Sequence, residues 1–170
     1  MPKAIRQIRV EGNIAYVPLT RGYEAIIDAE DVPLVEGFNW WASPGKNTFY
    51  AARSGKTQPD GSRPYIAMHR QIMREPPMFV DHRDGNGLNN RQVNLRVATN
   101  GQNKQNSAIN RNNTSGFKGV HLRSDFSKWV ARIEANGKRV TIGSYATPEE
   151  AAAAYADASV RLHGDFGRIR

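Results

Sequence analysis

The sequence predicts an α+β protein built from several small domains, and three observations lead to this fold class. Short runs of alternating apolar and polar residues, separated by glycine, asparagine and proline, are typical of strands. Asn136-Gly137 stands between two such runs, where it predicts a tight hairpin. Thr99-Asn100-Gly101-Gln102 and Thr147-Pro148-Glu149-Glu150 have the spacing of capping boxes, so each is expected to begin a helix.

Residues 1–64 are expected to form a small β-rich domain. The predicted elements are a hairpin at 8–19 around Glu11-Gly12-Asn13, a strand at 23–27, a short helix at 28–35, and a strand pair at 40–42 and 49–52. Clustered aromatic residues in this part are more typical of a core than of a base-stacking platform. We expect this domain to support the segment that follows and to add phosphate contacts through Arg53, Lys56 and Arg63.

The next elements surround the dipeptide Asp81-His82. The apolar run 79–82 and the alternating run 94–99 predict two strands, joined by a loop rich in glycine and asparagine. The capping box then places the helix start at Asn100 and puts Asn103 one turn into the helix, where its side chain can face the hairpin. Asn106 lies three residues further on the same helical face and is a second candidate for the same role, although spacing favours Asn103.

These residue types together predict a small metal-dependent hydrolytic centre that cleaves nucleic acid. A few oxygen ligands suit Mg²⁺, which retains several waters and takes further contacts from substrate phosphate. The chain has no cysteine, which excludes a thiolate zinc site. The neutral imidazole of His82 can accept a proton from an attacking water, whereas the amide of Asn94 is limited to orienting its neighbours.

Residues 65–106 resemble an HNH endonuclease of the asparagine-rich subclass found in phage and intron homing enzymes. The resemblance rests on Asp81, His82, Asn94 and Asn103 at the spacing of that family. It implies a ββα-metal finger in which Asp81 and Asn103 bind Mg²⁺, with Mn²⁺ as a possible substitute. It also implies that His82 is the general base and that Asn94 holds the His82 segment in place. The third letter of the family motif is most often histidine, so Asn103 is a departure that bears on metal identity.

The stretch 65–73 also matches the start of that family pattern. We interpret it as a helix that packs on the finger. Within it, Arg70 is a candidate phosphate contact and His69 is interpreted as structural.

A polar tether at 107–116 is predicted to separate the finger from a second module at 117–170. A two-residue turn at Asn136-Gly137 places Glu134 opposite Arg139 and Arg132 opposite Thr141. One face of this hairpin is then apolar, through Ala131, Ile133, Val140 and Ile142. The helix that follows offers it a stripe consisting of Ala151, Ala154, Tyr155, Ala158 and Leu162, with Gly164 as the stop.

This module resembles the ethylene-response-factor type of DNA-binding domain, of the Apetala-two superfamily. The residues that carry the resemblance are Gly119-Val120, Trp129, the run 131–133, the run 136–138, Gly143, the run 149–152 and His163-Gly164. It implies a three-stranded antiparallel sheet, backed by one helix, whose free face enters the major groove. The DNA contacts carried over are Lys118, His121, Arg123, Arg132, Glu134, Arg139 and Thr141. Glu134 and Thr141 differ from the residues usual in plant members, so the plant target sequence does not transfer; Glu134 either accepts from cytosine or pairs with Arg139.

Charge agrees with a polyanionic partner. The chain of 170 residues carries 24 basic and 16 acidic residues, for a net charge of +8. Residues 1–101 hold 13 basic and 10 acidic residues, or +3, whereas residues 102–170 hold 11 and 6, or +5. The excess is denser where phosphate contacts are expected.

The sequence therefore predicts an HNH endonuclease that cuts double-stranded DNA, acting as a monomer or a homodimer. The absence of a long apolar segment favours a soluble cytoplasmic protein with no membrane contact. The alternative function is a non-catalytic DNA-binding transcriptional regulator that keeps the HNH segment only as a scaffold.

Overall fold

The computed structural model describes residues 4–110, 112–135 and 137–169. They divide into two compact units, residues 1–97 and 98–170. The class is α+β, as predicted, because short helices and small antiparallel sheets alternate along the chain. Among the described residues, no helix combines the length and the apolar composition needed to cross a membrane.

The first unit begins with a three-stranded sheet. Strands β1 (Arg9–Glu11), β2 (Ile14–Pro18) and β3 (Glu24–Asp28) pair antiparallel in that order. The expected hairpin turns at Gly12, whose positive φ of 60° suits a residue without a Cβ atom. Helix α1 (Val32–Val35) then leads to Trp40, which is 1% exposed and donates its indole N–H to the Val35 carbonyl at 2.9 Å.

A second sheet follows, and it corrects one prediction. Strands β4 (Trp41–Pro44), β5 (Phe49–Ser54) and β6 (Tyr65–Ala67) pair antiparallel in that order, and helix α2 (Met68–Ile72) follows at once. The expected helix over 65–73 is thus wrong in its first three residues. They pair with β5 because an aromatic and a β-branched residue fit a pleated surface better than a helix.

The hairpin that carries Asp81 completes the first unit. Strands β7 (Phe79–His82) and β8 (Leu95–Ala98) form a two-stranded sheet, as expected. Val80 and Leu95 pack in the same hydrophobic core as Val17, Ile27 and Met68. A sheet of two strands needs such a neighbour, because it buries little surface by itself. The domain boundaries expected from the sequence stay predictions.

The second unit begins with helix α3 (Asn100–Gln105), which starts where the sequence places it. Both halves of the predicted Thr99–Gln102 capping box are formed. Strands β9 (Val120–Leu122), β10 (Trp129–Ala135) and β11 (Lys138–Tyr145) then form an antiparallel sheet with β10 in the centre. Helix α4 (Pro148–His163) covers one face and has the Thr147–Glu150 capping box and Pro148 in its first turn.

The hairpin register is the predicted one, with Arg132 opposite Thr141 and Glu134 opposite Arg139. Asn136 lies outside the described residues; Gly137 beside it has a φ of +72°. A bulge between Ala131 and Arg132 leaves Ile142 unpaired, and the prediction that Val140 is buried is wrong, since it is 45% exposed on an edge strand.

On α4 the predicted stripe also needs a correction. Ala151, Tyr155 and Ala158 are buried as expected, but Leu162 is 53% exposed and His163 is buried in its place. The reason is a hydrogen bond between His163 Nε2 and the Glu134 carbonyl at 2.7 Å, which turns the last helical turn toward the sheet. Gly164 ends the helix, as predicted.

Gly119 lies in close contact with both the helix and the sheet of the second unit. Its φ is +71°, and an added Cβ would lie 2.2 Å from the Tyr155 ring and 2.5 Å from the Arg132 carbonyl oxygen. We expect Gly119→Ala to destabilise the protein by about 3 kcal/mol or more, since it combines backbone strain with a clash in the core. Equilibrium unfolding in urea measures the loss.

The matched control is Gly137→Ala, because Gly137 has a φ of +72° but nothing within 4 Å of the added Cβ. We expect it to cost about 1 kcal/mol, from strain alone. Equal losses for the two variants would contradict the close packing at Gly119.

Candidate active site and nucleic-acid interface

The loop after His82 is attached to the first sheet through its backbone. Ile26 on β3 donates its N–H to the Leu88 carbonyl at 2.8 Å, and its carbonyl accepts the N–H of Asn90 at 2.7 Å. Arg91 adds an ion pair with Asp28 at 2.8 Å. These contacts fix the position of the loop against β3. The N-terminal sheet therefore determines where the Asn90 side chain points.

Asn90 in turn holds the imidazole of His82. Its Oδ1 lies 3.1 Å from His82 Nε2, while its Nδ2 donates to the Leu88 carbonyl at 3.2 Å. Because the carbonyl of Leu88 accepts the amide N–H, the oxygen of the amide must face the histidine, and His82 carries its proton on Nε2. The lone pair of the neutral ring is therefore on Nδ1. Asn90 is fully buried, which keeps this orientation fixed.

Two aromatic rings enclose His82. The ring of His69 meets it edge to face with centroids 4.9 Å apart, and the Tyr50 ring lies 5.8 Å away. Gly87 and Gly45 leave room for Tyr50, since an added Cβ at either position would come within 2.5 Å of its ring. The interpretation of His69 as a structural residue thus needs an addition, because its ring forms a wall of the site.

Burial in this box lowers the pKa of His82 below its ordinary value, while the hydrogen bond to Asn90 and the charges of Asp84 and Asp81 partly oppose the shift. For His69, burial and then the charges of His82 and Arg70 lower the pKa to about 3. The Nδ1 atom of His69 is buried without a hydrogen-bond partner. Both imidazoles are therefore neutral at pH 7.

Asn94 lies at the other end of the loop and cross-links it. Its Nδ2 donates to the Asn89 carbonyl at 2.7 Å and to Asp84 Oδ1 at 3.0 Å, and its Oδ1 accepts the N–H of Asp84 at 3.1 Å. An amide is suited to this task because it donates and accepts at once. The position agrees with a role in holding the His82 segment.

Asp81 points away from solvent and meets a partner that the sequence did not indicate. Arg96 on β8 donates to Asp81 Oδ2 from Nε at 2.9 Å and from Nη2 at 2.7 Å. The two side chains are 6% and 7% exposed. The carboxylate next to His82 is therefore already fixed in direction by a buried guanidinium.

Asn103 and Asn106 lie in the second unit. Asn103 is half-buried on α3, and Asn106 is the buried residue that ends this helix. The metal-ligand role of Asn103, with Asn106 as its alternative, stays a prediction.

Arg70 and Arg53 make contacts within the first unit. Arg70 donates to Glu75 at 3.0 Å and to the carbonyls of Pro76 and Met78 at 2.6 and 2.9 Å, in the turn that leads into β7. Arg53 stacks on the Phe38 ring at 3.9 Å and donates to Gln71. Lys56 and Arg63 lie on the exposed β5–β6 connection. The phosphate contacts predicted for these residues stay predictions.

Five of the seven predicted DNA-contact residues lie on strands of the sheet in the second unit: His121, Arg132, Glu134, Arg139 and Thr141. Arg132, Glu134, Arg139 and Thr141 are all exposed there. The pKa of His121 is lowered, first by partial burial and then by the charges of Arg132 and Arg139. Arg123 pairs with Asp125 at 3.1 Å beyond the end of β9.

Lys118 has a different environment, because it donates to the carbonyls of Gln105 and Ser107 at 2.6 and 2.7 Å. Burial, with the charge of Arg168, lowers its pKa to about 8. A groove of about 1030 Å³ in the same unit is lined by Lys104, Lys118, His121, Arg132 and Arg139 among other residues. It does not include Asp81 or His82.

Comparison with known proteins identifies relatives of this chain. The sequence profile described as HNH endonuclease matches residues 68–105, which include Asp81, His82, Asn94 and Asn103. Protein 3.8 of Escherichia phage T7 is 36% identical over 92 residues, covering 54% of this chain and 75% of that protein. The Uncharacterized HNH endonuclease L560 of Acanthamoeba polyphaga mimivirus is 30% identical over 147 residues, covering 86% of this chain and 74% of that protein.

The chain belongs to the HNH endonuclease family.

The nuclease also has plant relatives, through its C-terminal part. It is 44% identical to the Ethylene-responsive transcription factor ERF010 of Arabidopsis thaliana over 55 residues, or 31% of this chain and 29% of that protein. No solved structure matches the nuclease.

The sequence analysis missed three residues of the site: Asn90, Arg96 and Tyr50.

Asn90 gives the first prediction for the site. Asn90→Ala removes the acceptor of the His82 Nε2 proton, so we expect the rate of nucleic-acid cleavage to fall by about 10- to 100-fold in a folded protein. Asn90→Asp keeps an acceptor but adds a negative charge, which raises the pKa of His82 and moves the acidic limb of the pH–rate profile to higher pH. Single-turnover rates between pH 5 and pH 9 measure both effects.

Asn89→Ala is the matched control, because Asn89 bonds Asp84 at 2.8 Å rather than the imidazole. Its rate is expected to stay closer to that of the natural sequence. If Asn89→Ala and Asn90→Ala lose the same activity, the contact to His82 has no special role.

His69 gives a prediction for stability against pH. Unfolded His69 takes up a proton below its ordinary pKa of 6.5, whereas the folded protein resists this until about pH 3, so stability falls as the pH decreases through that window. Between pH 7 and pH 5 we expect His69 to account for a loss of about 2 kcal/mol. His69→Phe keeps an aromatic wall and should lose that much less over the same range, as measured by urea unfolding. His121→Phe, in the other unit, is the control, and an unchanged loss in His69→Phe would contradict the prediction.

Proposed function

We propose that this nuclease hydrolyses phosphodiester bonds in double-stranded DNA, with His82 as the general base and one divalent cation held by Asp81 and Asn103. The observation that carries the proposal is the imidazole of His82, which the Asn90 amide holds in one direction and burial keeps neutral, with Asp81 as the preceding residue on β7. A general base must be unprotonated at working pH and rigid in direction. Burial and the Asn90 amide supply these two conditions.

The proton step follows from the tautomer. Because Nε2 donates to Asn90, Nδ1 is the atom that takes a proton from water as its oxygen attacks phosphorus. The imidazolium formed in this step keeps its hydrogen bond to Asn90, and the carboxylates of Asp84 and Asp81 stabilise its charge. The nearby rings limit the number of waters around the nitrogen, which keeps the base weakly solvated.

The donor set suits a hard cation of the Mg²⁺ class, with Mn²⁺ as a substitute. Within the described ranges, no three histidine, cysteine or acidic side chains cluster in a way that could hold a metal. A site with one carboxylate and one amide oxygen leaves most positions to water and substrate phosphate, as Mg²⁺ prefers. When bound, the cation would stabilise the charge that develops on the phosphate and on the leaving oxygen. Asn94 contributes by keeping the loop closed around the base.

Recognition of double-stranded DNA is assigned to the second unit. Arg132 and Arg139 on the free sheet face, with His121 beside them, have the charge and the exposure needed to follow a major groove. The names of two relatives support this assignment: the Ethylene-responsive transcription factor ERF010 and the Dehydration-responsive element-binding protein 2E of rice. Lys118, Arg123, Glu134 and Thr141 complete the proposed contact set.

Each chain has one His82, so a monomer would nick one strand and a homodimer would cut both. Sedimentation with and without DNA, compared with the yields of nicked and linear plasmid, distinguishes the two forms of the enzyme.

The decisive prediction concerns a supercoiled plasmid incubated with Mg²⁺ or Mn²⁺. The natural sequence should produce nicked or linear DNA, and His82→Ala should lower the rate by at least about 100-fold, since general-base catalysis is worth about 10²–10⁴-fold. Chelation of the metal should abolish cutting by both proteins.

Binding is measured in parallel by gel shift. His82→Ala should bind DNA normally, whereas the double variant Arg132→Gln/Arg139→Gln should bind weakly and depend less on salt. Unchanged cutting by His82→Ala would reject the proposed base. Tight binding without any cutting in either metal would favour the non-catalytic regulator instead.

A further inference from the structure

We infer that Arg96 balances the charge of Asp81, so that the cation binds weakly to the free protein and tightly only when nucleic-acid phosphate is present. This inference rests on the proposed metal site at Asp81. An ion pair joins β7 and β8, in which Nε and Nη2 of Arg96 donate to the same carboxylate oxygen of Asp81 at 2.9 and 2.7 Å. Both side chains are almost completely buried.

Because the pair is buried, its charges can affect the binding of a cation. An exposed ion pair is weak because solvent screens it, whereas two charges at 6% and 7% exposure act strongly on any third charge beside them. Asp81 and Arg96 together have no formal net charge. An approaching dication therefore meets one carboxylate and one guanidinium instead of an uncompensated anion.

The other proposed ligand, Asn103, is a neutral amide. It therefore adds no negative charge to replace the one that Arg96 compensates at Asp81. The next acid along the chain, Asp84, is engaged in the loop, where its oxygens accept from Asn86, Asn89 and Asn94 at 2.8 to 3.0 Å. The charge of Asp84 still acts on His82, but its oxygens are committed to the loop, so phosphate oxygens of a bound strand are a further source of negative charge for the cation. The cation and the nucleic acid should therefore bind cooperatively.

Arg96 also has a geometric role. Its planar group fixes the Asp81 carboxylate with two donors, which a lysine cannot reproduce. The charge and the geometry can be separated by substitution: Arg96→Lys keeps the charge without the fork, and Arg96→Met removes both while keeping the length of the side chain.

The test measures Mn²⁺ binding to the full chain by electron paramagnetic resonance of the free ion, without nucleic acid. We expect Arg96→Met to bind Mn²⁺ at least about tenfold more tightly than the natural sequence, and Arg96→Lys to bind it with unchanged affinity. Mn²⁺ should also raise the melting temperature of Arg96→Met more than that of the natural protein, because this variant lacks the guanidinium that opposes the cation at the buried carboxylate. Equal affinities of Arg96→Met and the natural protein, or tighter binding by Arg96→Lys, would overturn the inference.

A second arm does not depend on the folding of an Arg96 variant. In the His82→Ala protein, which should leave DNA intact, a short DNA duplex should increase the affinity for Mn²⁺ by at least about tenfold. The double variant Asp81→Asn/His82→Ala corrects for ions held by the DNA itself. If the duplex does not change the Asp81-dependent affinity, the coupling is absent and the inference fails.

The two proposals fail in different ways. If Asp81→Asn does not change Mn²⁺ binding, with or without DNA, the metal site of the proposed function is wrong. If binding depends on Asp81 but is the same in the natural protein and in Arg96→Met, the metal site stands and only the role of Arg96 is wrong.

Discussion

The site depends on one buried amide. Asn90 is held from behind by the backbone of β3, through its own N–H, and from the front it fixes His82 through its side-chain oxygen. Both contacts are out of reach of water, so each would cost the full desolvation of a polar group if it were broken. The direction of the imidazole and its tautomer follow from this arrangement, while burial of the ring keeps it neutral.

The packing of the first unit keeps Asn90 and His82 in these positions. β7 and β8 cannot bury much surface alone, and they share a core with the sheets of the N-terminal part. Gly45 and Gly87 allow Tyr50 to lie beside His82, and Arg91 and Asp28 fasten the end of the loop to β3. Packing and chemistry are therefore determined by the same few contacts, which explains why the loop is rich in asparagine, a residue that both donates and accepts.

Much of this fold was predictable because its signals are local. Thr99 and Thr147 begin helices through contacts three residues away, and the register around Gly137 follows from the length of the turn. His82 and Asn94 were selected by spacing, and the structure shows what their side chains touch. Asn90 and Arg96 were missed because their partners are a backbone far along the chain and a carboxylate across a strand pair, which no short pattern records. The exposure of Val140 and Leu162 depended on a bulge and on a single histidine bond, and both are tertiary effects.

The backbone hydrogen bonds that join Ile26 to Leu88 and Asn90 also determine which part of the chain can be transferred as a working unit. The segment that matches the family profile, residues 68–105, does not contain β3, yet β3 sets the position of the loop. Transplanting that segment into a foreign scaffold would import the reactive side chains without the surface that aligns them. The unit that recombination could exchange between such proteins, or that an engineer could graft, consequently has to contain β3 as well as residues 68–105.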